Sequence, residues 1–228
     1  MAQAIGKIDA VLFDLDGTLI DTAPDMVAVL NQMQQDYGAD PLSYEDARAN
    51  VSNGAIGLLR LAFPAAKESD FEALNREYLK RYEGSVCMES RIFPDMPELL
   101  DELDGRKCPW GVVTNKPQRM TDSLLAALGL TSRVCCAVSG DTLPQRKPDP
   151  APLLLGCQRA GTAPQRTVYV GDAARDMQAG RAAGMPTIAA AYGYIVAGDD
   201  PAAWKPDAIA SDTKDLARML LKAVNRDT

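Results

Sequence analysis

Residues 9–19 read DAVLFDLDGTL. The apolar residues Ala10-Val11-Leu12-Phe13 form a continuous run, which predicts a strand buried on both faces, as in a parallel sheet. The run stops at Asp14-Leu15-Asp16-Gly17-Thr18. Asp14 and Asp16 are two positions apart, so an extended backbone projects both from one face. Gly17 then lets the chain turn sharply. Two carboxylates at the end of a buried strand are costly unless a cation or a reaction needs them there. The carboxyl edge of an open α/β sheet is also where such folds bind ligands. Because Asp, Gly and Thr are ordinary turn residues, a plain strand-ending turn is the competing reading.

Downstream, residues 21–90 read as helical. Thr22 is placed to cap a helix with Pro24 in its first turn. Met26, Val29, Leu30, Met33 and Tyr37 recur at helical spacing up to Gly38. Leu42 to Asn50 predicts a second helix. Ser52-Asn53-Gly54 opens a third that Pro64 breaks, and Glu68 to Glu83 a longer amphipathic one. After the proline-bearing junction Ile92 to Pro97 a helix runs to about Leu103, and strands and helices then alternate. Strands are predicted over Trp110–Thr114, Val134–Ser139, Thr167–Gly171, Pro186–Tyr192 and Asp207–Ala210. Helices are predicted over Pro117–Leu128, Asp149–Ala160 and Ala174–Ala183, and a closing one carries Leu216, Met219, Leu220 and Ala223 on one face. This alternation implies an α/β fold: a Rossmann-like parallel sheet with helices on both faces. A helical cap of roughly 70 residues, within small-domain size, is inserted after the first strand. The expected division is 1–20 with 91–228 as core and 21–90 as cap, hinged near Asp21 and Ile92.

Composition narrows the chemistry. The chain has 228 residues, 31 acidic and 24 basic, for a net charge of −7. With no basic block, nucleic acid and membrane surfaces are poor partners. No apolar run approaches a spanning length. The stretch MAQAIGKIDAVLFDLDG lacks a secretory pattern, so a cytoplasmic location is expected. Five cysteines without CxxC spacing suggest reduced, buried thiols. There is no histidine. That removes Ser-His-Asp and Cys-His machinery and makes ordinary zinc sites improbable. Acid–base work falls to other groups, and a divalent ion would take oxygen ligands, which suits Mg²⁺.

Three more segments carry polar groups to predicted strand ends or loops. Val112-Val113-Thr114-Asn115-Lys116-Pro117 delivers a hydroxyl and an amide before a helix N-terminus, where anions are attracted; a simple cap is the alternative. In Arg146-Lys147-Pro148-Asp149-Pro150, Lys147 precedes proline and so lies in an extended or turn segment; a solvated lysine is the alternative. Val170-Gly171-Asp172-Ala173-Ala174-Arg175-Asp176 ends a strand in Gly-Asp, with a second Asp one helical turn on; an N-cap with an acidic first turn is the alternative.

In order, DxD, Thr, Lys and GDxxxD resemble the motif set of the haloacid dehalogenase superfamily over nearly the whole chain. DLDGTLIDT, TNKP, KPDP, VGDAARDMQAGRAAG and YGYI resemble its phosphoglycolate phosphatase branch. WGVVTNKP and the tail from YGYI to Trp204 are similar to bacterial N-acetylmuramic acid 6-phosphate phosphatases. The resemblance implies a Mg²⁺-dependent phosphomonoester hydrolase acting on a small phosphorylated metabolite. It implies Asp14 as nucleophile and Asp16 as general acid and base. It also implies Mg²⁺ held by Asp14, the Asp16 carbonyl oxygen and Asp172, with Asp176 orienting that shell. Thr114, Asn115 and Lys147 would neutralise the phosphoryl oxygens. In the cap, Ser52, Asn53 and Gly54 are expected at the far end of the substrate, where a carboxylate would suit a helix N-terminus; Arg48 and Arg60 could assist. The alternatives are a sugar phosphomutase of the same fold and a non-catalytic phosphometabolite-binding protein. A phosphonate hydrolase would need a desolvated cap lysine, and Lys67 and Lys80 sit in polar surroundings. A dehalogenase would lack Asp16.

Overall fold

The computed structural model describes residues 5–224. Residues 1–4, which open the stretch read for a leader, and 225–228, the end of the expected core segment, lie outside the described residues. The chain begins with β1 (Ala10–Phe13), then β2 (Ile20–Asp21), and four helices: α1 (Ala23–Asp36), α2 (Tyr44–Ala49), α3 (Gly54–Ala62) and α4 (Phe71–Glu83). β3 (Arg91–Ile92) and α5 (Met96–Gly105) lead into β4 (Trp110–Val113), α6 (Gln118–Ala127), β5 (Ala137–Val138) and α7 (Ala151–Ala160). β6 (Thr167–Gly171), α8 (Ala174–Ala182), β7 (Thr187–Ala190), β8 (Ala208–Ala210) and α9 (Thr213–Ala223) complete it.

Six strands form one parallel sheet in the order β5-β4-β1-β6-β7-β8. β1 is central, and its neighbours lead outward in opposite directions, so its C-terminal end is the topological switch point. Phe13 is level with both Val112 and Val170. That register puts Asp14, Thr114 and Asp172 at the same rim.

Every residue of β1 is buried. Leu12 packs on one face with Val113, Val138, Leu153 and Tyr169. Val11 and Phe13 pack on the other with Trp110, Val112, Leu99, Leu100 and Leu216. The two faces together require the uninterrupted apolar run. α7 lies against β4 and β5, α8 against β6 and β7, and α9 against α5 and β8.

Several boundaries differ from expectation. The segments around residues 20 and 92 were expected as turn and junction, yet Ile20 pairs with Ile92 and Asp21 with Arg91 in an antiparallel ribbon. Two residues per strand carry no readable period. Helices α1–α4 lie between these two strands in sequence and pack on one another. β5 keeps only two of the six predicted residues because it is an edge strand, paired with β4 alone. The helix expected from Glu68 begins as a 3₁₀ turn over Glu68–Asp70 before α4. Thr22 precedes α1 without capping it; its hydroxyl donates instead to Asp16 Oδ1 at 2.6 Å. Of the five free thiols, Cys108, Cys136 and Cys157 are buried as expected, whereas Cys87 is half-buried and Cys135 exposed.

Asp25, in the first turn of α1, ties the two crossings together. Its buried carboxylate accepts from Glu89 N at 2.8 Å, Ser90 N at 3.0 Å and Ser90 Oγ at 2.6 Å. An Asp25→Ala substitution strands these donors, and we expect a loss of ~2–4 kcal/mol, read as a lower urea midpoint.

Candidate active site

The rim of β1 gathers the polar ends of three strands. Asp14 is held by its own N–H, which donates to Val170 O at 2.8 Å. Its Oδ1 accepts from Leu15 N at 2.7 Å and lies 2.9 Å from Lys147 Nζ. Gly17 turns the chain back directly below. Its φ is +78°, and a Cβ there would stand 2.1 Å from Asp172 Oδ2, so both backbone and space require glycine.

Lys147 is fully buried at its side chain. Its ammonium lies 2.9 Å from Asp14 Oδ1 and 2.8 Å from Asp176 Oδ1, and donates to the Tyr169 hydroxyl at 2.7 Å. That hydroxyl donates in turn to Val113 O at 2.8 Å. The Asn115 side chain fixes the Lys147 backbone from both sides, accepting from Lys147 N at 3.1 Å and donating to Lys147 O at 3.0 Å. Asn115 lies on the cavity wall, and its side chain places Lys147.

Asp14, Asp172 and Asp176 each bring a carboxylate oxygen within 4.8 Å of the others, all three buried. Asp172 Oδ2 accepts from Tyr194 N at 2.8 Å and Ser52 Oγ at 2.6 Å. Asp172 Oδ1 is buried with no hydrogen-bond partner among the described residues. Burial, then the charges of Asp14 and Asp176, push the Asp172 carboxyl up to about 7. Burial also raises Asp176, against the pull of Lys147. An all-oxygen trio with an orphan acceptor and excess negative charge fits a hard divalent cation.

The Asp16 carboxylate stands outside the trio. Its Oδ1 accepts from Thr22 Oγ1 at 2.6 Å and from Lys116 Nζ at 2.9 Å. Sequence reasoning gave Lys116 no role, because a lysine after a strand reads as solvated. It is buried, 4.5 Å over the Tyr82 ring. Burial opposes its charge, but Asp16 outweighs that and holds the ammonium above the usual lysine range.

Above this floor is a cavity of about 330 Å³. Asp14, Asp16, Thr114 and Arg175 lie on one side, and residues 51–56 with Asn75, Tyr78 and Tyr82 on the other. Ser52, Asn53 and Gly54 are on its wall, and the Ser52 hydroxyl donates to Asp172 Oδ2 at 2.6 Å. Arg48 stacks on Tyr194 at 4.8 Å, and Arg60 pairs with Glu68 at an exposed site. Arg60, Lys67 and Lys80 are not on the cavity wall.

Residues 11–190 match the family described as haloacid dehalogenase-like hydrolase. The chain belongs to that family. A phosphoglycolate phosphatase of Xanthomonas campestris pv. campestris is 42% identical over 207 residues, 91% of this hydrolase and 94% of the relative. An N-acetylmuramic acid 6-phosphate phosphatase of Pseudomonas aeruginosa is 40% identical over 219 residues, 96% and 97% of the two chains. The crystal structure of a "predicted phosphoglycolate phosphatase" from Haemophilus somnus 129pt superposes with a TM-score of 0.82 at 29% identity, covering 93% of this chain and 97% of that one. Among the described residues no helix is long and apolar enough to cross a membrane.

The raised Asp172 pKa gives this hydrolase a pH signature. An unfolded aspartate titrates at ~3.9, whereas burial in the fold, with the charges of Asp14 and Asp176, pushes Asp172 up to about 7. Between those values the unfolded chain has lost a proton that the fold retains, so stability falls as pH rises. A cation bound by the trio replaces that proton. In EDTA, Tm is expected to be lower at about pH 8 than at about pH 5, and the Tm gained on adding Mg²⁺ to be larger at the higher pH. Thermal melts at the two pH values check both signs.

Proposed function

We propose that this hydrolase is a Mg²⁺-dependent phosphomonoesterase that works through an aspartyl-phosphate. The observation that carries the reading is the buried meeting of Lys147 with Asp14 and Asp176, at 2.9 and 2.8 Å, beside the orphan Oδ1 of Asp172. Asp14, Asp172 and the Asp16 carbonyl would hold the ion, with Asp176 supporting them. When bound, it offsets the repulsion between phosphate and carboxylates.

Asp14 attacks phosphorus in line, forming its acyl-phosphate as the ester P–O bond breaks. Asp16 donates a proton to the departing alkoxide, then takes one from the water that cleaves the phosphoaspartate. Thr22 and Lys116 both hold its Oδ1, leaving Oδ2 for proton transfer. Lys147 holds Asp14 Oδ1 in place at 2.9 Å, and Thr114 lines the same cavity. We assign residues 1–20 and 91–228 to the catalytic core and 21–90 to the cap that shields the reaction from water. The free thiols suit a reducing cytoplasm.

The substrate is a small acid or sugar phosphate. Both curated relatives' substrates, phosphoglycolate and N-acetylmuramic acid 6-phosphate, carry a carboxylate. A space of about 330 Å³, walled by Tyr78, Leu79, Met120 and Asn75, suits a sugar-sized molecule better than a two-carbon acid. In a comparison of kcat/KM over 2-phosphoglycolate, N-acetylmuramic acid 6-phosphate and common sugar phosphates, we expect the sugar acid phosphate to lead. Asp14→Asn should abolish p-nitrophenyl phosphate hydrolysis while preserving the melting transition, and EDTA should silence the wild type. Metal-independent turnover, or turnover by D14N, overturns the reading.

A further inference from the structure

Of the cations around the cavity floor, two are already paired. Lys147 is ringed by three protein oxygens within 2.9 Å, as many as an ammonium has N–H groups. Lys116 is bonded to Asp16 at 2.9 Å and otherwise faces the Tyr82 ring and the Met26 sulfur. Arg146 is exposed at the cavity rim. Arg175 differs from all three. It lies on the cavity wall with its side chain 24% exposed, and its guanidinium makes no hydrogen bond among the described residues. Its nearest carboxylate contact is Nη2 to Asp14 Oδ2, at 4.0 Å.

Its position is locally unfavourable. Arg175 is the second residue of α8, where the positive end of the helix dipole disfavours a cation and favours an anion. A local rule broken without a compensating bond points to a functional demand. Asp172 and Asp176 flank it in sequence, yet the short contact is with neither. It is with the carboxylate read above as the nucleophile.

We propose that Arg175 is a phosphoryl-binding residue: its guanidinium receives the oxygens of the transferring phosphate. The claim rests on the phosphatase reading and adds a donor to it. A phosphoryl group bonded to either oxygen of Asp14 comes within reach of a guanidinium 4.0 Å away. The planar fork then bonds two phosphoryl oxygens at once, which a lysine cannot do. Lys147 holds the nucleophile, and Arg175 meets the group that the nucleophile takes up.

The test is titration of inorganic phosphate and orthovanadate, with Mg²⁺ present, into wild type, Arg175→Gln and Arg175→Lys, with Mg²⁺ affinity measured separately without anion. Inorganic phosphate has no carboxylate, so this separates a phosphoryl site from a site for the far end of the substrate. R175Q is expected to bind both anions at least about tenfold more weakly and to lose about 10²–10³-fold in kcat/KM, the usual cost of one transition-state donor. Its Mg²⁺ affinity should be equal or higher, since a competing positive charge has gone. R175K should recover only part of the anion affinity, and it carries the test alone if R175Q does not fold. Anion affinity within twofold of wild type in either folded variant overturns the proposal, as does a loss confined to KM for a carboxylate-bearing ester. A wild type that binds neither anion in Mg²⁺ overturns the underlying phosphatase reading, before any variant is made.

Discussion

A fully buried ammonium touching two buried carboxylates is the constraint around which this chain is arranged. Removing such charges from water costs several kcal/mol per ion, and only close, well-placed partners recover it. Lys147 meets Asp14, Asp176 and the Tyr169 hydroxyl within 2.9 Å, and these come from the end of β1, the first turn of α8 and the middle of β6. That geometry needs β1, β4 and β6 adjacent and parallel, with Phe13 level with Val112 and Val170. It also needs the Lys147 loop held still, which the Asn115 amide does through two backbone bonds. The charge does not balance even so. Three carboxylates share one ammonium, and the surplus shows as an orphan oxygen on Asp172 and a carboxyl raised to about 7.

The same surplus links the floor to the helical insert. Asp172 Oδ2 accepts from the Ser52 hydroxyl of the insert and from the Tyr194 backbone of the loop after β7. The Tyr194 side chain meanwhile reaches the entrance of the insert. Its hydroxyl donates to Asp21 Oδ1 at 2.7 Å and accepts from Thr22 N and Ala23 N at 2.7 and 2.9 Å. Arg48 covers its ring. One residue of the core therefore bonds a floor carboxylate through its main chain and the start of α1 through its side chain. The position of the insert and the position of Asp172 are mechanically connected through it.

The α/β fold was legible because its central strands are uninterrupted apolar runs that stop at polar residues, a pattern that parallel burial imposes locally. The grouping of Asp14, Thr114, Lys147 and Asp172 was legible through motif order, each lying where a strand or loop delivers it to the rim. What escaped is what depends on distance along the chain. The bond from Lys116 to Asp16 spans 100 residues and that from Thr22 N to Tyr194 spans 172. Nothing near Lys116 distinguishes it from a solvated lysine. The ribbon of β2 and β3 escaped because two-residue strands have no period. The capping role expected of Thr22 failed because Asp16 and the free N–H groups of α1 compete for one hydroxyl, which donates to Asp16 Oδ1 at 2.6 Å and accepts from none of those N–H groups.

That competition separates the two carboxylates of the DxD stretch. Both leave β1 toward the same rim, yet they meet opposite company. Asp14 falls among Asp172, Asp176 and a shared lysine, a setting that suits a nucleophile held beside a cation. Asp16 falls against Lys116, Thr22 and the aromatic wall of α4, outside the trio. Lys116 and Thr22 bond the same oxygen of Asp16, so its carboxylate cannot rotate without breaking both. On the proposed reading, proton transfer through the other oxygen is then directional, and both contacts that enforce it depend on the insert: Thr22 opens α1, and the Tyr82 ring covers Lys116. On that same reading, the acid–base group is thus oriented through the insert, whereas the nucleophile is oriented by the chain of β1 and the Lys147 loop, with no bond to the insert among the described residues.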